Sequence, residues 1–241
     1  MEFYQQISKY YDLIFPAGDE QVKFLKEVAG NPPKAVLDVA CGTGEYSVGL
    51  AEQGYQVTAV DRDAKMLEGL KEKVKAKGCV LDYLEADMSD MDKKLSSKFN
   101  LVFCIGNSLV HLENMQQIKE FLKKARNMLE NDGSLVLQII NLDRIILREI
   151  KSLPTIENKT AGLSFERIYD YQKQNNTILF KTKLNVEGRS FENQVSLYPL
   201  RQDELTEALY EAGFKKMKLF GDFNGNEFDK YNSFMLVLWV K

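Results

Sequence analysis

With 241 residues, 44% of them hydrophobic, the chain is long enough for one well-buried core and too apolar for a disordered polymer. Its formal charge of −3 supplies no overall basic field to draw nucleic acid or an anionic membrane. Three cysteines, Cys41, Cys79 and Cys104, are odd in number and lack metal-ligand spacing, so a disulfide framework or a metal site is not expected and a cytoplasmic setting is. The N-terminus has no secretory pattern, and no apolar run reaches the ~20 residues of a membrane span.

Residues 1–30 carry two helical patterns, broken by Pro16-Ala17-Gly18-Asp19 and stopped by Asn31-Pro32-Pro33, and 1–33 are expected to form an N-terminal cover. From Ala35 the chain alternates: strand 35–40, helix from about 44 to 53, strand Gln56 to Asp61, helix 63–77 and strand Val80 to Asp87. Strands 100–105 and 134–140 follow, separated by a helix whose Met115, Ile118, Phe121, Leu122, Ala125, Met128 and Leu129 keep one face. Alternation of this kind predicts an α/β fold, a Rossmann-like, mostly parallel sheet with helices on both faces.

After Asn141 the rhythm changes. Leu163 to Tyr171, Thr177 to Val186 and Phe191 to Leu200 are strand-like runs without intervening helices, and predict a small inserted antiparallel sheet. A helix over Asp203 to Ala212 stops at Gly213, and two last strands, Met217 to Phe220 and Phe234 to Val240, return to the main sheet and bring it to seven strands. The expected organisation is one domain over 1–241. Residues 34–141 form the cofactor-binding core, 142–200 an insertion covering the substrate, and 201–241 the closing helix and strands.

The chemistry concentrates in Val36 to Ser47, V-L-D-V-A-C-G-T-G-E-Y-S, an apolar strand that ends in a glycine turn and a helix start. Glycines there let the backbone turn sharply and leave a bare surface for a ligand, with free helix N–H groups facing it. Asp61 lies about 20 residues beyond Gly42, where an acid binds ribose hydroxyls in dinucleotide folds. Two features argue against a pyrophosphate. Ser47 stands where the third glycine would be, and Asp38 places a carboxylate beside the turn, which would repel phosphates and attract an ammonium group. An adenosine with a cationic amino-acid tail suits both acids.

These residues resemble the class I S-adenosylmethionine-dependent methyltransferases. The acid-x-x-x-Gly-x-Gly motif stands as Asp38-Val39-Ala40-Cys41-Gly42-Thr43-Gly44, which the resemblance assigns to the methionine end of the cofactor. It implies that Asp61 takes both ribose hydroxyls and that Asp87-Met88 meets adenine N6 and N1. It extends the cofactor contacts to Tyr11, Arg62, Met66, Ala86, Ile105 and Gly106. S-adenosylmethionine is the expected donor and S-adenosylhomocysteine the product.

The run Gly106-Asn107-Ser108-x-x-His111-Leu112 is similar to glycine and sarcosine N-methyltransferases, implying a small-molecule acceptor, an amine by preference, with Asn107 and His111 at the transfer site. Asn107 reads as a contact to acceptor or methionine carboxylate, or as a turn residue. His111, the sole histidine, reads as a contact, a general base or a core residue. Aromatic rings suit a sulfonium, and the cover offers Phe3, Tyr4, Tyr10 and Tyr11. In the insertion Phe165, Arg167, Tyr169 and Tyr171 alternate onto one strand face, so Arg167 and Tyr169 join Asn107 and Arg144 as expected acceptor contacts.

The resemblance breaks at Ile140. Glycine N-methyltransferases carry an arginine there that grips the substrate carboxylate, and Arg144 reaches only from another direction. A monomer or homodimer, with neither nucleic acid nor membrane as partner, is expected. The alternatives are a nicotinamide-dependent oxidoreductase and a non-catalytic protein that binds S-adenosylmethionine.

Overall fold

The computed structural model describes residues 7–241; Phe3 and Tyr4 lie outside them. A 3-10 turn, Ser8–Tyr10, leads into α1 (Tyr11–Ile14) and α2 (Asp19–Ala29). The core then runs β1 (Ala35–Val39), α3 (Glu45–Ala51), β2 (Gln56–Asp61), α4 (Ala64–Lys77), β3 (Asp82–Glu85), α5 (Met91–Lys94), β4 (Phe99–Cys104), a 3-10 turn Ser108–His111, α6 (Met115–Met128) and β5 (Leu129–Ile140). Next come α7 (Leu142–Leu147), β6 (Ser152–Asn158), β7 (Leu163–Gln172), β8 (Thr177–Val186) and β9 (Arg189–Leu197). The chain closes with α8 (Gln202–Glu211), β10 (Met217–Phe220) and β11 (Met235–Val240).

Seven strands form the main sheet in the order β10-β11-β5-β4-β1-β2-β3, and only β11 runs against the others. The chain winds from β1 to one edge at β3, then crosses back to β4 on the other side of β1. That reversal opens a crevice beyond the C-terminal ends of β1 and β4, where open α/β sheets take ligands.

Strand residues alternate between two cores, as a sheet covered on both faces requires. Val36, Leu101 and Phe103 pack with α2, α3 and α4. Leu37, Val39, Val102 and Cys104 pack with α6 and α8.

The insertion is an antiparallel sheet in the order β6-β7-β8-β9, four strands rather than the three expected. The missed strand, β6, holds Pro154, which argues against a strand in sequence; it sits at the sheet edge, with a register shift between Leu153 and Ile156, where proline is tolerated. The short α7 was also missed. Asn141 caps it by accepting from Arg144 N at 3.1 Å, and six residues are too few to show a helical period. A third core joins the inserted sheet to the N-terminal segment: Ile7, Tyr10 and Ile14 pack against Leu163, Phe165, Leu184 and Val186.

Candidate functional site

Two adjoining cavities occupy the crevice. The first, of about 230 Å³, lies over the ends of β2, β3 and β4; the second, of about 350 Å³, runs from the end of β1 to the inserted sheet. Tyr11, Ala40, Gly106 and His111 line both.

The glycine turn shapes the floor. Gly42 and Gly44 hold φ of +55° and +74°, a region that costs other residues energy. A Cβ on Gly44 would lie 2.1 Å from Leu70 Cδ1, so α4 packs directly on that bare backbone. A Cβ on Gly42 would come within 3.5 Å of the Tyr11 ring, on the cavity side. Ala40 and Asn107, at the ends of β1 and β4, also take left-handed backbone, with φ of +59° and +70°. Strain of this kind collects where a ligand must be approached closely.

Asp61 ends β2 with both oxygens engaged: Oδ2 accepts from Gly42 N at 2.8 Å and Oδ1 from Asp63 N at 2.9 Å. One carboxylate thus sets the glycine turn and the start of α4 while still lining the first cavity. Burial pushes its pKa up, partly offset by those two N–H groups. Asp87 accepts from Ser89 N at 2.9 Å and pairs across the cavity mouth with Arg62 at 3.8 Å, an exposed contact of small energetic value. Met66, Ala86, Met88 and Leu112 supply apolar walls between these acids.

Asp38 is buried at the end of β1 and lines the second cavity. Ser47 Oγ donates to Asp38 Oδ2 at 2.6 Å, which gives the residue in place of a third glycine a physical role: it holds the carboxylate. Desolvation pushes the Asp38 pKa up to about 7; the Ser47 bond opposes the rise and the charge of Asp61 adds to it. A cationic group brought alongside would restore the charged form.

The roof comes from the N-terminal segment. Thr43 Oγ1 donates to Asp12 at 2.5 Å, and Lys73 Nζ lies 2.7 Å from Asp12 and 2.5 Å from Glu45. Tyr10 Oη donates to Glu187 at 2.9 Å, tying the segment to the inserted sheet. Tyr11, Phe15 and Phe165 make a ring ladder across the second cavity, with centroids 5.2 and 5.5 Å apart.

Between the first cavity and the inserted sheet stands the β4 end. Asn107 Oδ1 accepts from Ile140 N at 2.9 Å, and the backbone donor fixes the amide orientation, so the Asn107 NH2 is left as a donor. Gln138 Oε1 accepts from Gly106 N at 2.7 Å. His111 has its pKa lowered to about 4, first by burial and then by Arg62, and is neutral at pH 7. Cys41 lines the second cavity with its thiol pKa pushed up by burial, and is no thiolate.

Most of the residues singled out from sequence meet here, with two exceptions. Gly44 lies behind the turn, and Arg144 lines neither cavity. The Arg144 guanidinium stacks over Phe234 at 4.4 Å, and its neighbours Asn141 and Asp143 are buried struts: Asn141 Nδ2 donates to Ser233 O at 2.9 Å, and Asp143 Oδ2 accepts from Gln202 N at 2.8 Å. Sequence reasoning missed Gln21, Phe15, Tyr46 and Phe180. The buried Gln21 Oε1 has no hydrogen-bond partner, and nothing in the local pattern of α2 marks it out. Among the described residues no group of three or more His, Cys, Asp or Glu is placed to hold a metal ion, and no helix is long and apolar enough to cross a membrane.

Comparisons with known proteins agree with the geometry. A family model described as a methyltransferase domain matches residues 36–133. The glycine/sarcosine N-methyltransferase of Halorhodospira halochloris is 28% identical over 233 residues, 95% of this chain and 85% of that protein. The enzyme of the same name from Aphanothece halophytica is 29% identical over 200 residues, 83% of this chain and 73% of its own length. In fold, an S-adenosylmethionine-dependent methyltransferase from Clostridium acetobutylicum superposes with a TM-score of 0.82 at 16% identity, covering 99% of this chain and 98% of that one. A nicotinamide oxidoreductase is thereby set aside.

Proposed function

Because the chain is a class I S-adenosylmethionine-dependent methyltransferase, we propose that it methylates the nitrogen of a small-molecule amine, in the space where its two cavities meet. The observation that carries this reading is the shared wall of Tyr11, Ala40, Gly106 and His111. It gives a donor chamber and an acceptor chamber one common boundary. The likeness to proteins named glycine/sarcosine N-methyltransferases supports an amine as acceptor.

The residues present fit S-adenosylmethionine. Asp61 and Asp87 offer acceptors to ribose hydroxyls and the adenine amino group, with Met66 and Met88 against the ring. Asp38 and the unpartnered Gln21 Oε1 offer acceptors to the ammonium tail. When bound, the cofactor supplies a methyl group on a positively charged sulfur.

The rest falls to the chain's own residues, and the demand on them is modest. An amine needs no activated nucleophile if it arrives unprotonated and aligned, so positioning supplies most of the acceleration. His111, with a pKa of about 4, is far too weak a base to take a proton from an ammonium group. Its part is that of a neutral contact on the shared wall. Asn107, its oxygen tied to Ile140 N, presents N–H donors, which suit an acceptor's oxygen. The rings of Tyr11, Phe15 and Tyr46 exclude water and favour the cationic charge passing from sulfur to nitrogen.

The test is labelled methyl transfer from S-adenosylmethionine to a panel of amines, including glycine, sarcosine and amino sugars, with the methylated atom located by mass spectrometry. Label on nitrogen is expected. Label on oxygen or carbon acceptors alone would overturn the reading.

A further inference from the structure

Among the described residues, the second cavity is lined by one cationic side chain, Arg167, from the middle of β7. Its surroundings do not satisfy it. Arg167 Nη2 donates to Pro154 O at 2.8 Å, Nε is buried with no hydrogen-bond partner, and no carboxylate among the described residues forms an ion pair with it.

The register of the inserted sheet shows that this is not one stray group. Leu153 faces Arg167, Arg167 faces Thr182, and Thr182 faces Asn193, so the last three stand in one rung on one face of the sheet. Thr182 Oγ1 and Asn193 Nδ2 are also buried without partners. The rungs on either side, Tyr169-Phe180-Val195 and Phe165-Leu184-Phe191, are apolar. Of this rung only Arg167 lines the cavity, with Thr182 and Asn193 beside it in register, and a guanidinium set among unpartnered polar atoms and between apolar rungs is costly to bury empty and suits an oxyanion.

We infer that the acceptor carries an oxyanion, a carboxylate or a phosphate, and that Arg167, backed by Thr182, is the specificity residue that receives it from the inserted sheet. This rests on the amine reading above for the rest of the acceptor. It also accounts for Ile140, which lines the same cavity and leaves the end of β5 without a cation there. The apolar rungs and the Tyr11-Phe15-Phe165 ladder enclose the carbon frame between anion and nitrogen. With its fork of donors, a guanidinium binds such a group in two places at once, which a lysine cannot do.

The test uses the full chain and matched acceptors: glycine against methylamine, β-alanine against ethylamine, and aminomethylphosphonate to separate phosphonate from carboxylate, with rates corrected for free amine. The expected result is a KM at least tenfold lower for the anionic member of a pair. Arg167→Met should raise that KM by about 10- to 100-fold, narrow the difference between the charged and uncharged members of each pair and keep S-adenosylhomocysteine affinity within about twofold. Arg167→Lys should recover part of the loss, and Thr182→Val, nearly isosteric, should raise KM several-fold should the arginine variants fail to fold. Equal handling of charged and uncharged amines by the parent protein, or an unchanged KM in Arg167→Met, overturns the inference. If no amine is methylated, the amine reading fails by itself. Acetate and inorganic phosphate titrated by calorimetry into protein saturated with S-adenosylhomocysteine then decide the anion site: Arg167-dependent heat upholds it, and no heat with either anion overturns it.

Discussion

The two cavities are made in different ways. Most of the first is built from segments that directly follow the C-terminal ends of the neighbouring parallel strands β4, β1, β2 and β3. The second is assembled from pieces far apart in sequence: the cover at Tyr11 and Phe15, the end of β1, the end of β5 at Ile140, and Phe165, Arg167, Tyr169 and Phe180 of the inserted sheet. A chamber made of consecutive turns keeps its chemistry as the outer elements vary. One made of distant parts changes its ligand whenever a single strand face changes. On the function proposed above, the first is the donor chamber and the second the acceptor chamber.

The largest effect that would sharpen this contrast comes from Gly44. In Gly44→Ala a side chain enters a φ of +74° and meets Leu70 at 2.1 Å. Left-handed backbone and overpacking together should lower unfolding free energy by about 2–4 kcal/mol, a fall in Tm of roughly 5–12 °C by calorimetry. Gly106→Ala, at φ +88° with nothing within 4 Å of the new methyl, should cost only the backbone part. Equal losses would mean that α4 does not press on the turn.

Asp61→Ala comes next. It removes a ligand acceptor and the bonds to Gly42 N and Asp63 N together, and should weaken S-adenosylhomocysteine binding by an order of magnitude or more. Unchanged calorimetric affinity would remove Asp61 from the donor chamber's machinery.

Asp38 predicts a pH dependence. Its pKa of about 7 in the free protein means that the carboxyl is largely neutral at pH 6, so affinity for the cofactor's ammonium tail should rise about tenfold from pH 6 to its plateau above 7. The same shift has an opposite sign for stability. The folded state keeps this proton while the unfolded chain has already lost it, so the group's contribution is fullest below its unfolded pKa near 4 and is lost as pH rises to about 7. Asp38→Asn should flatten both curves, and an unaltered binding profile in that variant would refute the assignment.

The smallest effect belongs to the roof. Tyr10→Phe removes the bond to Glu187, which is solvent-exposed, and should shift cofactor affinity by no more than about twofold while raising amide exchange in residues 8–14. A large loss would show that the cover contributes more than packing.

How far each chamber could be read from sequence follows from its construction. The placing of Asp38, Gly42, Asp61 and Asp87 at the crevice was legible because strand, turn and helix signals recur in register and each acid lies at or within two residues of a strand's C-terminal end. The antiparallel insertion was legible from unbroken strand-like runs, but β6 was hidden by Pro154 and α7 by its brevity. Arg144 looked equal to Arg167 in sequence, both arginines beyond β5. Packing separated them: one stacks on Phe234 away from the site, while the other lines the cavity with no ion pair among the described residues. Gln21 and Phe180 carried no motif at all.

The amino-acid sequence by itself determined the half proposed for the donor, because each glycine or acid there lies within a few residues of its own strand end and local backbone rules place it. Only the tertiary structure decided the acceptor half. It is a matter of cross-strand register and of which distant face closes over the sheet, and these settle when the cover, the insertion and the end of β5 pack together.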